Sequence, residues 1–185
     1  MKIFFDTEFT GLHIGTTLIS IGLVDENGRS FYGEFLGYDS QQVDDWIQEN
    51  VISHLKFKNE NRPHNNYDSK HIECVGYTYH MKRWLSEWLS QYDSVELVSD
   101  CCHYDMVLFI DIFGGAFDIP KNVCPACHDI NQDIAEYYGI SEKEAFDKSR
   151  EGILEEKSIV IDGNKHNSLY DAKVIKSIYE IMHKR

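Results

Sequence analysis

The sequence has a deficit of basic residues, and this deficit is the first feature to narrow the class of protein. Its 185 residues contain 18 Lys and Arg against 31 Asp and Glu, a formal net charge of −13. A protein that grips duplex DNA non-specifically needs a basic surface to neutralise phosphates, so that class is disfavoured. An enzyme that acts on nucleic acid is not excluded, because metal ions can supply the missing positive charge locally.

The sequence also lacks long hydrophobic runs, internal repeats and proline-rich linkers. No apolar run approaches the length that spans a bilayer, which predicts no membrane association. Met1-Lys2 leads directly into the first strand, which predicts that no signal peptide is present. The five cysteines, an odd number, predict reduced thiols and a cytoplasmic protein. With no linker and 42% apolar residues to form a core, we expect a single domain over residues 1–185.

Strand signals concentrate in the first 35 residues. Residues 3–9, 17–24 and 29–35 are apolar runs rich in branched and aromatic side chains, as strands are. Asn27-Gly28 lies between the second and third runs and is a strong hairpin signal, so these two strands should be antiparallel neighbours. Residues 95–99 predict a further short strand.

Apolar residues at helical spacing predict helices at 44–55, 75–91, 104–113, 129–138 and 168–184. Ser141 and Glu144 form a capping-box pattern that predicts one more helix after them. The helix at 104–113 is apolar on all sides, so Asp105 in its first turn should lie near the core. The polar residues 56–70 predict a loop, which is either merely solvated or the best local candidate to contact a polyanion.

Two carboxylates occupy the first predicted strand. Asp6 and Glu8 are two residues apart, so they project from the same face of a strand. Like charges placed side by side next to a core are costly unless a positive group compensates them, and a divalent metal ion would do so. Gly11 would let the backbone approach a ligand closely. The alternative is an edge strand whose carboxylates point into water.

Further acidic residues and a histidine follow in the chain. Asp105 follows the strand at 95–99, and Asp171 begins the last helix five residues after His166. Each has a purely structural interpretation as well. Asp105 can complement the dipole of its helix, and Ser168 and Asp171 can form a capping box. His166 can be one of nine histidines without a special role.

The order of these motifs resembles that of the DEDDh family of 3′→5′ exonucleases. Asp-Thr-Glu-Phe-Thr-Gly-Leu at 6–12 resembles the first motif, Tyr104-Asp105 the end of the second, and His166-Asn-Ser-Leu-Tyr-Asp171-Ala172 the third. Small stand-alone bacterial and phage 3′→5′ exoribonucleases are the most similar subgroup, and residues 46–55 and 129–133 also fit it. The resemblance spans nearly the whole chain. It implies an α/β, RNase-H-like fold with a central mixed five-stranded sheet that contains an antiparallel hairpin and is flanked by helices.

The second motif departs from the family pattern. An Asn usually stands three or four residues before its Asp, whereas this chain has Cys102 and Cys101 at those positions. The substrate contact normally made there is therefore in question, and Asp100 becomes a rival to Asp105. The aromatic residue before Asp105 and the predicted helix after it favour Asp105.

The resemblance implies a two-metal-ion hydrolysis. Hard oxygen ligands select Mg²⁺ or Mn²⁺, and two such ions can clamp the attacking and leaving oxygens of a phosphodiester. In this scheme Asp6 bridges both ions, while Glu8 and Asp171 bind one of them. Asp105 binds the other ion, partly through water. His166 takes the proton from the attacking water, because an imidazole pKa lies near working pH.

The resemblance also implies a substrate. The backbone around Thr10, Gly11 and Leu12 would hold the 3′-terminal nucleotide, with Leu12 against its base, and the products would be nucleoside 5′-monophosphates. The expected partner is single-stranded or 3′-overhanging RNA. A DNA-directed 3′→5′ exonuclease is the alternative within the enzyme class, and a homodimer is an open alternative to a monomer.

A catalytically silent RNase-H-fold module that binds nucleic acid or protein is the alternative outside the enzyme class. This alternative is disfavoured, because a silent module has no reason to keep five such groups, which are costly to bury together.

One other motif is present, Cys124-Pro-Ala-Cys127-His128. No second C-x-x-C or H-x-x-x-H completes a zinc site, and a thioredoxin-type redox motif fits only loosely. We therefore expect buried structural thiols.

Overall fold

The chain folds around a mixed β-sheet of seven strands. The computed structural model describes residues 1–68 and 70–183. The sheet order is β4-β5-β3-β2-β1-β6-β7. The strands are β1 Lys2–Phe9, β2 Leu18–Asp25, β3 Ser30–Phe35, β4 His64–Tyr67, β5 His71–Gly76, β6 Val95–Ser99 and β7 Val123–Asp129. Within the described residues the helices are α1 Asp45–Asn50, α2 Thr78–Leu89, α3 Cys102–Phe113, α4 Ile130–Tyr138, α5 Glu142–Asp147, α6 Arg150–Glu156 and α7 Ser168–His183.

The predicted α/β class with a mixed sheet and an antiparallel hairpin is confirmed, and the sheet has two strands more than the five expected. β2 and β3 form the hairpin, with Gly28 of its turn at φ +82°. β1, β3, β5, β6 and β7 all run in one direction, and β2 and β4 run in the other. The carboxyl ends of five strands therefore lie along one border of the sheet, which we call the carboxyl edge.

Helices cover both faces of the sheet. On one face, α2 and α3 pack over Ile3 and Phe5 of β1 in the largest apolar cluster. On the other face, α4, α6 and α7 pack with Phe4 in a second cluster. Because side chains alternate along a strand, Asp6 and Glu8 project from the same face as Phe4. The sheet therefore directs both carboxylates toward α7.

Residues 44–76 differ most from the sequence prediction. The predicted helix 44–55 ends early, since α1 stops at Asn50 and a 3₁₀ turn follows at Ile52–His54. The predicted loop 56–70 contains β4, and the helix predicted from residue 75 begins only at Thr78, because β5 extends to Gly76. β5 is hidden in the sequence because polar residues alternate with its buried ones, and its pairing with β3 and β4 supplies the missing stabilisation.

β7 was also not predicted from the sequence, and it contains two of the cysteines, Cys124 and Cys127. It is an edge strand that contains Pro125, a residue that edges tolerate but central strands do not. Cys124 is exposed on this strand, so the expectation of a buried thiol is wrong there. Cys127 is half-buried, and its Sγ lies 2.8 Å from the Sγ of Cys102 at the start of α3.

The C-terminal half is predominantly helical. The capping box of Ser141 and Glu144 is confirmed and begins α5, whereas α6 was not predicted. α7 extends to His183, and the predicted last residue, Lys184, lies outside the described residues. Over the part of the chain that the structure describes, we find no helix that is long and apolar enough to cross a membrane.

Candidate active site

The start of α7 approaches the sheet at Gly22 of β2. Gly22 is the cross-strand partner of Asp6. A Cβ added at Gly22 would lie 2.3 Å from the backbone N of Leu169, in the first turn of α7. Only a residue without a side chain allows this approach, and it brings the first turn of the helix beside the first carboxylate.

A serine pair fixes the same contact. Ser20, the cross-strand partner of Glu8, has its Oγ 2.9 Å from the Oγ of Ser168, and both side chains are buried. Two small residues on β2, opposite the two carboxylates on β1, therefore make room for the turn of α7 that carries Asp171.

Glu8, His166 and Asp171 form one group of candidate metal ligands, with one ligand atom of each lying within 4.8 Å of the others. The backbone N–H of His166 donates to Oδ2 of Asp171 at 2.8 Å. His166 adopts a left-handed backbone conformation with φ +62°, which is uncommon for a residue other than glycine. The structure therefore holds this histidine in a specific orientation at the site.

The capping-box interpretation of Ser168 and Asp171 is wrong. Asn167 caps α7 instead, because its Oδ1 accepts a hydrogen bond from the backbone N–H of Tyr170 at 3.2 Å. Ser168 turns toward the sheet, and Asp171 accepts from His166. Asp171 is thus not used as a cap, and its carboxylate faces the site.

Asp105 lies at the start of α3 and is fully buried. Its Oδ1 accepts hydrogen bonds from the backbone N–H of Thr7 at 3.1 Å and from the Thr7 hydroxyl at 2.5 Å. Its Oδ2 accepts from the hydroxyl of Ser99. These bonds attach α3 to β1 at the residue between Asp6 and Glu8, which fixes the position of Asp105 relative to both.

Asp100, the rival of Asp105, is close to the same place. Asp6, Asp100 and Asp105 form the second group of candidate ligands, again with ligand atoms within 4.8 Å of one another. Asp100 is held by Arg150, whose Nε lies 2.9 Å from its Oδ2. Arg150 also donates from Nη2 to Oδ1 of Asn131 at 2.6 Å. Arg150 could not be predicted from the sequence, because no local pattern connects the start of α6 with the end of β6.

The carboxyl groups of the site are buried close to one another, and this raises their pKa values. Burial raises the pKa of Asp6 well above its ordinary value, and the Asp105 charge raises it further. Burial, followed by the charge of Asp171, has the same effect on the pKa of Glu8. Burial raises the pKa of Asp105 to about 7 and that of Asp171 to about 7. Carboxyl groups that resist ionisation in this way are in an environment that favours an added cation.

The imidazole of His166 has a lowered pKa, which favours its neutral form near physiological pH. Burial lowers its pKa, and the neighbouring Lys165 charge lowers it further. Its ring packs edge-on against the ring of Trp46, with centroids 5.0 Å apart. A neutral imidazole near physiological pH can accept a proton.

The two ligand groups line a cavity of about 660 Å³, which also includes Leu12 and Trp46. Leu12 is 76% exposed and Trp46 is 54% exposed, so both present apolar surface to the cavity. Trp46 begins the segment 46–55 that resembles the exoribonuclease subgroup, but the sequence alone indicated no role for it. A cavity with carboxylates at one place and exposed apolar side chains at another suits a ligand that has a charged part and a flat apolar part.

In the predicted substrate loop, Thr10 is anchored by hydrogen bonds and Gly11 has a backbone conformation that favours glycine. Thr10 is buried and donates to Oε1 of Gln42 at 2.5 Å. Gly11 has φ +152°, and an added Cβ would lie 3.0 Å from the ring of His13. The backbone next to the cavity therefore depends on a glycine at this position.

The two cysteines that replace the family's Asn point in different directions. Cys101 lines the cavity, and burial raises its pKa to about 12, so its thiol stays protonated. The Cys102 thiol instead contacts Cys127 and the carbonyl oxygen of His128, at 3.2 Å from the latter. Neither side chain offers the amide of an Asn, so that particular contact is absent here.

The fold is that of the DEDDh nucleases. The nuclease domain of 3′hExo, described as a DEDDh family member bound to rAMP, is similar with a TM-score of 0.65 and 16% identity, over 98% of this chain and 90% of that one. The Mg²⁺- and Mn²⁺-bound form of S. pombe Pop2p is similar with a TM-score of 0.61 and 15% identity, over 100% and 83% of the two chains.

The chain belongs to the family of Rv2179c-like 3′-5′ exoribonuclease domains, whose model matches residues 1–182. The resemblance inferred from the three motifs is thereby confirmed. The 3′-5′ exoribonuclease Rv2179c of Mycobacterium tuberculosis (strain ATCC 25618 / H37Rv) is 36% identical over 55 residues. That match covers 30% of this chain and 33% of the relative, so it spans about a third of the relative's length.

Proposed function

We propose that this protein is a metal-dependent 3′→5′ exoribonuclease that releases nucleoside 5′-monophosphates from the 3′ end of RNA. The observation that carries the proposal is the pair of adjoining ligand groups at the carboxyl edge, together with a histidine of lowered pKa. The family and the relative that is named a 3′-5′ exoribonuclease support the reaction and its direction.

The donor atoms fit a hard divalent cation. Carboxylate oxygens dominate both groups, which suits Mg²⁺ or Mn²⁺ better than zinc. We propose two ions. Asp6 would help to hold both ions, Glu8 and Asp171 would hold one of them, and Asp105 would hold the other. When bound, such a pair stabilises the attacking and leaving oxygens of a phosphodiester.

We assign the role of general base to His166. Its lowered pKa keeps the imidazole neutral at working pH, and the bond from its backbone to Asp171 fixes where the ring can reach. The ring accepts a proton from water and leaves the carboxylates free to bind the cations.

We assign the terminal nucleotide to the apolar part of the cavity. The exposed side chains of Leu12 and Trp46 would contact its base, and the backbone at Gly11, next to the buried Thr10, would approach its sugar. Stacking on an exposed aromatic ring is how proteins commonly hold single-stranded bases.

We further propose that residues 1–185 form one catalytic domain and that the protein works in the cytoplasm. All five cysteines are free thiols, as expected of a reducing compartment. The number of copies in the active species is measurable by light scattering.

The test uses RNA and DNA of matched sequence, labelled at the 5′ end, incubated with Mg²⁺ or Mn²⁺ and sampled over time. The proposal requires products that shorten by one nucleotide from the 3′ end, faster with RNA than with DNA. A 3′-phosphate should block the reaction, whereas a 5′ block should not. Cleavage of a circular RNA would indicate an endonuclease, and no hydrolysis of any substrate would refute the proposal.

A further inference from the structure

Residues 56–64, which we call the basic segment, are a second feature of the carboxyl edge. They contain Lys56, Lys58 and Arg62 against one acidic residue, Glu60, in a chain whose net charge is −13. His64 ends the segment and begins β4. All of these side chains are exposed except His64, which is partly buried. The sequence singled out this region as a candidate contact for a polyanion.

The basic segment is anchored rather than loose. Phe57 is buried and packs in a cluster with Tyr32 and Val75, next to Leu169 of α7. The backbone N–H groups of Lys56 and Phe57 both donate to the buried carboxylate of Glu34, at 2.6 Å and 3.0 Å. The anchor therefore holds an exposed run of cations in a defined place on the protein.

The anchor also connects the basic segment to the active site. Glu34 accepts a hydrogen bond from the hydroxyl of Tyr32 at 2.7 Å. The Tyr32 hydroxyl in turn accepts from Nδ2 of Asn167 at 3.2 Å, and Asn167 directly follows His166. The segment and the proposed general base are thus linked through one hydrogen-bond network, which is buried at Tyr32 and Glu34.

The sheet places the basic segment at the same edge as the carboxylates. His64 pairs with Val75 near the carboxyl end of β5, so the residues before His64 lie beyond that end. The segment leads into β4, which is four strands from β1 in the sheet, and four strand spacings are about 19 Å. A nucleic acid strand with its 3′ end beside Asp6 can span that distance with a few nucleotides.

Two exposed tyrosines extend the same surface. The pairing of β4 with β5 ends at His64 and Val75, so Arg62 and Tyr77 each lie two residues beyond the last pair, on the carboxyl side of β5. The rings of Tyr77 and Tyr79 are nearly parallel, with centroids 6.3 Å apart, and both side chains are exposed, Tyr79 more than Tyr77. Cations next to exposed aromatic rings are typical of surfaces that bind single-stranded nucleic acid.

The cations of the segment differ in how far they are already neutralised. Lys56 forms an ion pair with Glu73. Lys58 donates to the backbone carbonyl of Ser53. Over residues 1–68 and 70–183, neither Lys58 nor Arg62 forms an ion pair, so both charges are free to meet a phosphate.

We infer that the basic segment binds the phosphates of RNA upstream of the 3′-terminal nucleotide, through Lys58 and Arg62, and makes the enzyme favour RNA longer than a dinucleotide. The inference rests on the proposed exoribonuclease function and adds a preference for substrate length to it. Counter-ion release on phosphate binding requires that the preference weaken as salt rises.

The experiment compares a dinucleotide with a 14-nucleotide single-stranded RNA that has the same 3′ end. The wild-type protein, the variant Lys58→Glu/Arg62→Glu and the control Lys121→Glu are assayed with both substrates over a range of salt. Lys121 is an exposed residue just before β7, at the opposite edge of the sheet. Its charge reversal lowers the net charge by two units, half of the four-unit change in the double variant, at a site away from the basic segment.

We expect the double variant to lose about tenfold in kcat/KM on the 14-mer and to keep its rate on the dinucleotide. Its salt dependence on the 14-mer should be less steep by about 0.7 in log–log slope for each lost phosphate contact. Lys121→Glu should behave as the wild type does. Equal losses on both substrates, no loss on either, or an equal loss in the control would each overturn the inference.

Binding separates this inference from the proposed function. Fluorescence anisotropy of both labelled RNAs is measured with Glu8→Gln, alone and combined with the double charge reversal. Weaker binding of the 14-mer only, caused by the charge reversal, supports the basic segment even if the wild-type protein hydrolyses nothing. Unchanged binding overturns the inference even if hydrolysis is found.

Discussion

The backbone N–H of His166 is hydrogen-bonded to Oδ2 of Asp171, at 2.8 Å, across the start of α7. His166 is the proposed general base and Asp171 is a proposed metal ligand. A single hydrogen bond therefore sets the position of one relative to the other. The left-handed backbone of His166 is part of this arrangement, because it turns the chain back toward its own helix.

Replacing the imidazole should separate the two functions. A general base contributes about 10²- to 10⁴-fold in rate, so His166→Ala should lose activity on that scale. The variant should keep its affinity for Mn²⁺, measured by calorimetry, because the carboxylates remain. The acidic limb of its pH–rate profile, which reports imidazole protonation, should flatten or move. If His166→Ala loses metal binding as completely as Asp171→Asn, the histidine is a ligand and the assignment is wrong.

Removing one carboxylate from β1 should abolish activity and stabilise the metal-free protein. Asp6→Asn or Glu8→Gln should abolish hydrolysis, because each removes a metal ligand. Without metal, each variant should have a higher free energy of unfolding than the wild type, since burial and the neighbouring carboxylates disfavour the charged forms. Urea denaturation in EDTA measures the second effect. Activity within a few-fold of wild type would reject the metal site.

The stability of the metal-free protein should fall as pH rises. Asp105 and Asp171 have pKa values of about 7 in the folded protein, whereas an unfolded Asp titrates near 3.9. Between these values the folded state binds more protons, so the free energy of unfolding decreases from about pH 4 to pH 7. The lowered pKa of His166 acts in the opposite direction below about pH 6.5.

Thermal unfolding in EDTA at pH 5.5 and pH 7.5 tests this dependence. The wild type should melt at the higher temperature at pH 5.5, and Asp171→Asn should show a smaller difference. Added Mg²⁺ should raise the melting temperature at pH 7.5. A wild type that is more stable at pH 7.5 without metal would contradict the expected sign.

Asp100 and Asp105 can be distinguished by matched amide substitutions. Asp105→Asn should abolish hydrolysis, because its carboxylate is fixed beside Asp6 by Thr7 and Ser99. Asp100→Asn should cost about 10- to 100-fold, the range for groups that orient a site without binding the metal directly. Arg150→Lys is the control that keeps the positive charge beside Asp100. If the two Asn variants exchange these effects, Asp100 is the ligand.

A methyl group at Gly22 should displace the start of α7. Because the added Cβ would meet the backbone at 2.3 Å, Gly22→Ala should destabilise the fold by about 3 kcal/mol, at the upper end of the cost of overpacking. It should also lower kcat sharply, since Asp171 and His166 move with the helix. Gly28→Ala is the control, because Gly28 has φ +82° and nothing within 4 Å, and it should lose stability but not activity. Full activity of Gly22→Ala would show that the close contact is not needed.

The sequence predicted the components of the site better than the surroundings that orient them. Asp6 and Glu8 were predicted to share a face because the period of a strand is two, and the start of the last helix was read from its pattern. The roles of Gly22 and Ser20 could not be predicted. They depend on the register between β1 and β2, which places two small residues opposite two carboxylates.

Long-range pairing explains the elements that were missed. β5 and β7 contain polar residues and, in β7, a proline, so neither reads as a strand until its neighbours in the sheet are known. Arg150 reaches Asp100 across 50 positions of sequence, a contact without any local pattern. Local patterns predicted the capping box at Ser141, and the hairpin turn at Asn27, because the interacting residues there are neighbours in the chain.

Successive residues of β1 point to opposite faces of the sheet. Asp6 and Glu8 face the cavity, whereas the side chain of Thr7 is hydrogen-bonded to Asp105 on α3. This strand pairs with β2 from Ile3 to Phe9 and with β6 at Lys2–Phe4, and the backbone N–H of Thr7 donates to Asp105, so we expect these amides to exchange with solvent only when the centre of the sheet opens. We expect those amides to be among the slowest to exchange with deuterium, at rates that follow global unfolding. The carboxylate cluster would then persist for as long as the fold itself.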